Sequence, residues 1–315
     1  MNYFVTGGAG FIGSNFVDLV LSSTTQNRII VYDKLTYAGN IKNLGPYLND
    51  SRLKIIVGDI CDSKSLKLAM KDSEIVINFA AESHVDRSID SADLFIKTNV
   101  QGAFNVFECA RQLEIETLIQ VSTDEVYGSL ESDNASESFP LYPNSPYSAS
   151  KASADLLARS FNKTYGMDIR ITRSSNNYGK NQYPEKLIPV IIRSILSGEK
   201  IPIYGTGKNI REWIHVTDHC RAILSIIENG KSGEIYNIGG DFSLTNLELA
   251  KLVCEIAGVS ENKIIHIEDR KGHDFRYGLD ESKLRNLGDY SRVSLEAGLK
   301  ETYEWYRDNP NWWNF

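Results

Sequence analysis

The chain has 315 residues, a formal net charge of −7 and 42% hydrophobic residues. That length can bury a large core, as one large domain or two. The acidic balance argues against a nucleic-acid surface, which would carry a basic stripe, and no apolar run approaches the ~20 residues of a membrane span.

The first element is a short apolar strand, Tyr3–Thr6, which runs straight into Gly7-Gly8-Ala9-Gly10-Phe11-Ile12-Gly13. A helical pattern follows, with Phe11, Ile12, Phe16, Leu19 and Val20 on one side. Strand, glycine turn and helix together make a dinucleotide site, because glycine lets the backbone approach a pyrophosphate whose charge rests at the helix N-terminus. The next strand, Arg28–Asp33, ends in a carboxylate 20 positions after Gly13. There it meets the adenosine ribose hydroxyls and would repel a 2′-phosphate, so NAD is favoured over NADP, with Lys34 softening that preference. Ile55–Val57 leads to Gly58-Asp59, where a turn would present Asp59 to the adenine. Ile75–Phe79 is a further buried strand, followed by Ala80-Ala81-Glu82-Ser83-His84, whose small residues let a cofactor lie against the backbone. No charged segment and apolar h-region precede the first strand, so no signal peptide is expected. Cys61, Cys109, Cys220 and Cys254 are scattered and read as reduced thiols in a cytoplasm.

A helix is expected from about residue 93 to 113, then the apolar strand Leu118–Val121 and the triplet Thr123-Asp124-Glu125. Tyr147 and Lys151 are four apart, so on a helix they share a face. A lysine ammonium beside a phenol lowers a pKa that starts near ~10, which makes Tyr147 a general base. A base with two carboxyl groups supports several proton transfers at one sugar. Leu156, Leu157 and Phe161 continue that helix, and Ile169–Arg173 is the next strand. Repeated βα units imply a doubly wound parallel sheet with ligands at the carboxyl strand ends.

After Arg173 the pattern changes. Residues 174–179 read as a polar turn, Pro184–Pro189 opens an amphipathic helix, and Ile201–Gly207 is a short strand and turn. Arg211 falls in a polar segment, and a helix is expected from about Asn246 to Ala257. Lys186, Arg211, Arg270 and His273 supply loop cations for a diphosphate. His215 and His219 mimic half a metal site, but no third ligand is evident and no metal is expected. The expected architecture is α/β. Residues 1–173 form a Rossmann domain, to which about 212–240 returns, and 174–315 form a smaller sugar-nucleotide-binding domain.

Several stretches carry a family resemblance: Ala80–Ser88, Ser122–Gly128, Tyr147–Ala152, Arg173–Gly179, Pro184–Pro189 and Asp269–Asp274. They closely resemble the extended short-chain dehydrogenase/reductases (the NAD-dependent epimerase/dehydratase family), essentially end to end. Within that family the Thr-Asp-Glu triplet resembles the nucleotide-sugar 4,6-dehydratases, since simple 4-epimerases lack the carboxyl pair. Lys271 departs from the proline usual there. The resemblance implies NAD-dependent loss of water from dTDP-glucose, giving a 4-keto-6-deoxy sugar, with UDP-glucose as the alternative substrate. It implies Thr123, Asp124, Glu125, Tyr147 and Lys151 as catalytic residues. It adds Phe11, Ile12, Lys34, Leu35, Thr36, Asp59, Ile60, Ala80 to Ser83, Thr98 and Asn177 to the NAD site. For the sugar nucleotide it implies Ser83, His84, Asn176, Lys186, Leu187, Pro202, Ile203, Tyr204, Arg211, Asn246, Asp269, Arg270, Gly272 and His273. Family members commonly pair the helices near 93–113 and 146–166, which implies a homodimer.

Overall fold

The structure is a computed structural model that describes residues 1–288 and 291–313, the last without its side chain. The first half alternates strand and helix: β1 (Asn2–Thr6), α1 (Phe11–Ser23), β2 (Arg28–Asp33), β3 (Leu53–Val57), α2 (Ser63–Met70) and β4 (Ile75–Asn78). Then come α3 (Val85–Asp90), α4 (Ala92–Phe95), α5 (Ala103–Gln112), β5 (Thr117–Thr123), α6 (Pro146–Tyr165) and β6 (Ile169–Ser174). The second half runs β7 (Asn176–Tyr178), α7 (Leu187–Leu196), β8 (Ile201–Tyr204), β9 (Ile210–His215), α8 (Val216–Asn229) and β10 (Ile235–Ile238). It closes with β11 (Phe242–Thr245), α9 (Asn246–Ala257), β12 (Ile264–Ile267), α10 (Ser282–Arg285) and α11 (Leu295–Asp308).

Seven strands form one sheet in the order β10-β6-β5-β4-β1-β2-β3, and every pairing in it is parallel. The order reverses between β1 and β4, the point where a doubly wound sheet leaves a crevice at its carboxyl edge. Period-two alternation decides which core each side chain enters. Tyr3 and Val5 pack with α1 and α8 on one face, whereas Phe4 between them packs with α2, α5 and α6 on the other. Each fully buried side chain of this size contributes roughly 1.5–3 kcal/mol.

The second half adds a small mixed sheet, β11-β9-β7, and the parallel pair β12-β8, over a third apolar cluster built on α7, α9 and α11. β10 leaves this region to complete the large sheet beside β6. No helix among the described residues is long and apolar enough to cross a membrane.

Three expectations are corrected. The helix expected at 93–113 is interrupted by a π-helical turn, Ile96–Gly102, between α4 and α5. Within that turn Asn99 points inward and binds both the amide and the carbonyl of Glu82, so the widened turn aims one polar side chain at the β4 exit. Residues 174–179 contain a strand, β7, because β9 offers it a parallel partner. The helix after Pro184 starts only at Leu187.

The start of α6 is tightly set. Ser145 accepts a hydrogen bond from the Ser148 amide, Ser148 Oγ accepts one from the Ser145 amide, and Pro146 occupies the first turn. Ser145→Ala removes that reciprocal cap. Stability should fall by about 1 kcal/mol, seen as a lower urea midpoint with an unchanged m-value.

Candidate active site

The cradle at the β1–α1 turn is shaped by missing side chains. Gly7 sits at φ +66°, and a Cβ there would lie 2.7 Å from the Ala80 amide nitrogen. A Cβ on Gly13 would come within 2.3 Å of the Gly7 carbonyl oxygen, so the first turn of α1 can sit directly on the loop. Gly10 precedes α1 and has no side chain to cap it. The first amides of the helix are thereby left to an anionic ligand. Phe11, Ile12, Thr36, Ile60, Ala80, Ala81 and Thr98 line the same cleft, as do Glu82 and Ser83.

Asp33 ends β2 inside this cleft. Its carboxylate accepts from the Ala9 amide at 2.9 Å and the Leu35 amide at 2.8 Å, which fixes its orientation; burial pushes its pKa up and the two amides oppose this. Leu35, at φ +53°, serves through that amide and does not line the cleft. Lys34 Nζ lies 2.8 Å from Asp59, whose other oxygen accepts the Cys61 amide. Lys34 and Asp59 thus reach the cleft as a partly exposed ion pair at the ends of β2 and β3, beside Asp33.

At the carboxyl end of β5 the chain turns through a short 3-10 helix, Asp124–Tyr127. Thr123 Oγ1 accepts from the Glu125 amide at 3.3 Å and donates to Asp124 Oδ1 at 3.1 Å. Tyr147 and Lys151 face the same cleft from the first turns of α6. Burial drives Asp124 well above the ordinary carboxyl range, reinforced by the neighbouring Glu125 and Glu212. Burial raises Glu125 too, but Arg270, Lys186 and Arg211 oppose it. Both adjacent carboxyl groups are thus pushed up by burial, in unlike surroundings: Asp124 has two further carboxyl groups beside it, whereas three cations oppose the rise at Glu125.

The expectation that Lys151 lowers the Tyr147 pKa is not met. Lys151 Nζ donates to the Val121 carbonyl at 2.6 Å, and burial lowers its own pKa to about 8. Burial and the Glu125 carboxyl push the phenol up, with a hydrogen bond to Thr123 opposing. Desolvation outweighs the charge pairing inferred from spacing alone.

The second half brings its polar residues to the same opening. Asn176, Asn177 and Lys186 line the cleft; Lys186 Nζ donates to the Ser83 carbonyl at 2.7 Å, and Asn177 bonds to His219 Nδ1 at 2.9 Å. Beside them Asp86 gathers Tyr204 (3.3 Å), His84 (3.9 Å) and Arg270 (3.9 Å), and His273 pairs with Asp269 at 2.6 Å. Arg211 is a strand residue of β9, not a loop cation; it donates to the Asp274 carbonyl and lies over the Tyr277 ring. Asn246, at the start of α9, is buried with Oδ1 unpartnered among the described residues. Gly272 takes φ +64° at the turn before His273. Two residues turn away. Strand alternation sends Ile203 into the third core while Pro202 and Tyr204 face outward, and Leu187 packs against that core. His215 caps α8 through the Thr217 amide.

A strap across the cleft escapes sequence reading. The Arg87 guanidinium lies 3.8 Å above the Tyr37 ring and donates to Glu185 at 3.0 Å, while Tyr37 meets the Tyr183 ring edge-on at 5.3 Å. These residues come from α3 and from two loops, after β2 and before α7, and form no local pattern. The stretches Ala80–Ser88 and Pro184–Pro189, which contain Arg87 and Glu185, offered the only signal.

A family model described as GDP-mannose 4,6 dehydratase matches residues 4–302. The dTDP-glucose 4,6-dehydratase of Streptomyces niveus is 46% identical, covering 99% of this chain and 95% of that one. Among solved structures, DesIV from Streptomyces venezuelae, a dTDP-glucose 4,6-dehydratase with NAD and TDP bound, has a TM-score of 0.97 and 48% identity, covering 100% of this chain and 99% of that one. The dTDP-glucose 4,6-dehydratase of Bacillus anthracis, in complex with NAD, has a TM-score of 0.93 and 44% identity, covering 99% and 98%. With the glycine cradle, the Asp124–Glu125 pair and Tyr147–Lys151 in one cleft, the chain belongs to the family of the nucleotide-sugar 4,6-dehydratases represented by these dTDP-glucose enzymes.

Proposed function

We propose that this chain is an NAD-dependent hydro-lyase that converts dTDP-glucose to dTDP-4-keto-6-deoxyglucose. The observation that carries the proposal is the placement of two adjacent carboxyl groups, Asp124 and Glu125, in unlike charge surroundings beside a buried tyrosine in a dinucleotide cleft. NAD, when bound, takes hydride from carbon 4 and returns it to carbon 6, so the cofactor ends unchanged. The Gly7–Gly13 cradle holds its pyrophosphate, Asp33 its adenosine ribose, and Lys151 its second ribose.

The protein's own work is proton handling. Tyr147, whose phenol burial pushes up in the protein alone, would take the proton of the carbon-4 hydroxyl once the positive charge of bound NAD offsets that burial, while Thr123 holds the same oxygen. The ketone acidifies the hydrogen on carbon 5, and Glu125, where Arg270, Lys186 and Arg211 oppose the effect of burial, removes it. Asp124, whose carboxyl burial pushes well above the ordinary range, protonates the departing hydroxyl of carbon 6. Two neighbouring carboxyl groups in unlike surroundings are how one site runs acid and base chemistry together. Lys186, Arg211, Arg270 and His273 surround the diphosphate, and Asn176, Asn246, Tyr204 and His84 bind the sugar nucleotide. A cytoplasmic setting fits the four free cysteines.

Tyr147→Phe keeps the ring and its packing against Phe95. Turnover should fall by ~10² or more, with unchanged circular dichroism; near-normal turnover would place the base elsewhere. Glu125→Gln should still oxidise carbon 4 but stall, so NADH absorbance accumulates and exchange of the carbon-5 hydrogen with deuterated solvent nearly vanishes. Asp124→Asn should stall after that exchange. Release of 4-keto-6-deoxy sugar by Glu125→Gln at the wild-type rate would refute the mechanism, and parallel product analysis with UDP-glucose tests the base preference.

The proposal includes a homodimer. Phe104 on α5 and Leu156 on α6 are 38% and 58% exposed, an apolar strip suited to a two-fold helix seam. Val106 and Leu157, also expected there, pack instead into the core. Light scattering should give twice the 35.4 kDa chain mass; a monomer at micromolar concentration would contradict it.

A further inference from the structure

Behind the cleft lies a buried polar network outside the chemistry described above. Arg173, at the carboxyl end of β6, is 3% exposed, and its partner Asp155 is 1% exposed. Arg173 Nε donates to Asp155 Oδ2 at 2.9 Å, and Nη1 donates to the Tyr127 hydroxyl at 2.9 Å. The guanidinium carbon also stands 4.8 Å from the Tyr127 ring centroid. The Tyr127 hydroxyl donates to Asn237 Oδ1 at 2.8 Å, and Asn237 Nδ2 donates to the carbonyls of Ala135 and Asp280. Every partner in this chain is thus oriented by the next.

The positions of the two side chains that Arg173 grips give the network its meaning. Tyr127 is the last residue of the 3-10 turn that begins with Asp124 and Glu125. Asp155 lies on α6 one turn beyond Lys151 and two beyond Tyr147. One planar, permanently charged fork therefore bonds to both elements that carry proton transfer. A buried ion pair is a poor way to gain stability alone, since apolar side chains of similar volume serve as well. Fixing two elements in one register is something an apolar pair cannot do with the same directionality.

We propose that Arg173 is a positioning residue for the dehydration, holding the Asp124–Tyr127 turn and α6 in one register through Tyr127 and Asp155. The inference rests on the site reading given above. The two arms act on different steps. The Tyr127 arm sets where Asp124 and Glu125 meet carbons 5 and 6. The Asp155 arm sets Tyr147 and Lys151, and places the carboxylate that supports the Lys151 ammonium against burial. Around that carboxylate stand Arg173 from β6, Ser122 from β5 and Lys151 from its own helix, while Lys151 itself meets the Val121 carbonyl of β5.

The test uses the full-length holoenzyme and reads NADH absorbance in a single turnover of dTDP-glucose, with uptake of solvent deuterium reporting elimination. Tyr127→Phe should leave oxidation within about three-fold of wild type and slow elimination about tenfold, so that NADH accumulates. Asp155→Asn should slow oxidation about tenfold and move the alkaline limb of its pH profile to lower pH, because the lysine loses its supporting carboxylate. Arg173→Lys should slow both steps. Tyr127→Phe and Asp155→Asn variants that slow both steps equally, or that only melt at lower temperature, would overturn the inference. If Asp155→Asn does not fold, Tyr127→Phe decides alone, since it removes a single oxygen. Wild-type turnover by Tyr147→Phe would instead overturn the site reading itself, whereas uniform losses beside an inactive Tyr147→Phe overturn only the network.

Discussion

Desolvation at the carboxyl end of β5 is the constraint on which the rest of this site depends. Thr123, Asp124, Tyr147 and Lys151 are all nearly inaccessible, so each ionisable group would prefer its neutral form unless a particular neighbour intervenes. Burial raises both Asp124 and Glu125. Their surroundings differ because Glu125 and Glu212 add to the rise at Asp124, whereas Arg270, Lys186 and Arg211 oppose it at Glu125. In a dry cleft each fixed charge counts for more than it would in water.

This explains why the site needs both halves of the molecule. The large sheet supplies the groups that exchange protons, and its strand order leaves the crevice in which they sit. Lys186, Arg211 and Arg270, which shape the Glu125 environment, all follow β6. The contacts of Arg87 with Tyr37 and Glu185 also join the two halves beside this opening.

Much of this was legible in the sequence, because it is local. The glycine turn, Asp33 at a strand end, the Thr123–Glu125 triplet and the four-residue spacing of Tyr147 and Lys151 each lie within one element or one connection. What escaped reading depends on distant partners. The π-helical turn at Ile96–Gly102 contains no proline and only one glycine, but serves the long-range bond from Asn99 to Glu82. Arg211 reads as a loop cation until β9 finds β11 and β7 on either side. The direction of the Tyr147 pKa does not follow from spacing, which shows Lys151 on the same face but neither the burial that pushes the phenol up nor the Val121 carbonyl that takes the ammonium. Strand alternation at Ile203 was visible in principle, yet β8 is too short for its inward face to be assigned without β12.

The path of the chain through β10 has a consequence for how the molecule acquires its shape. β10 closes the edge of the large sheet against β6, pairing Ile235 with Ile171 and Ile238 with Ser174, and it also carries Asn237, the acceptor for Tyr127. Everything from β7 to α8 is interposed between these two neighbouring strands. During synthesis the emerging first half therefore waits with an open parallel edge, a template for pairing with other chains, until much of the second half has appeared. Such long-separation pairing is slow to form and leaves apolar surface exposed meanwhile. The two halves are thus one folding problem: a fragment ending at β6 would lack an edge strand and the far anchor of its buried polar network, whatever the independence of its glycine cradle.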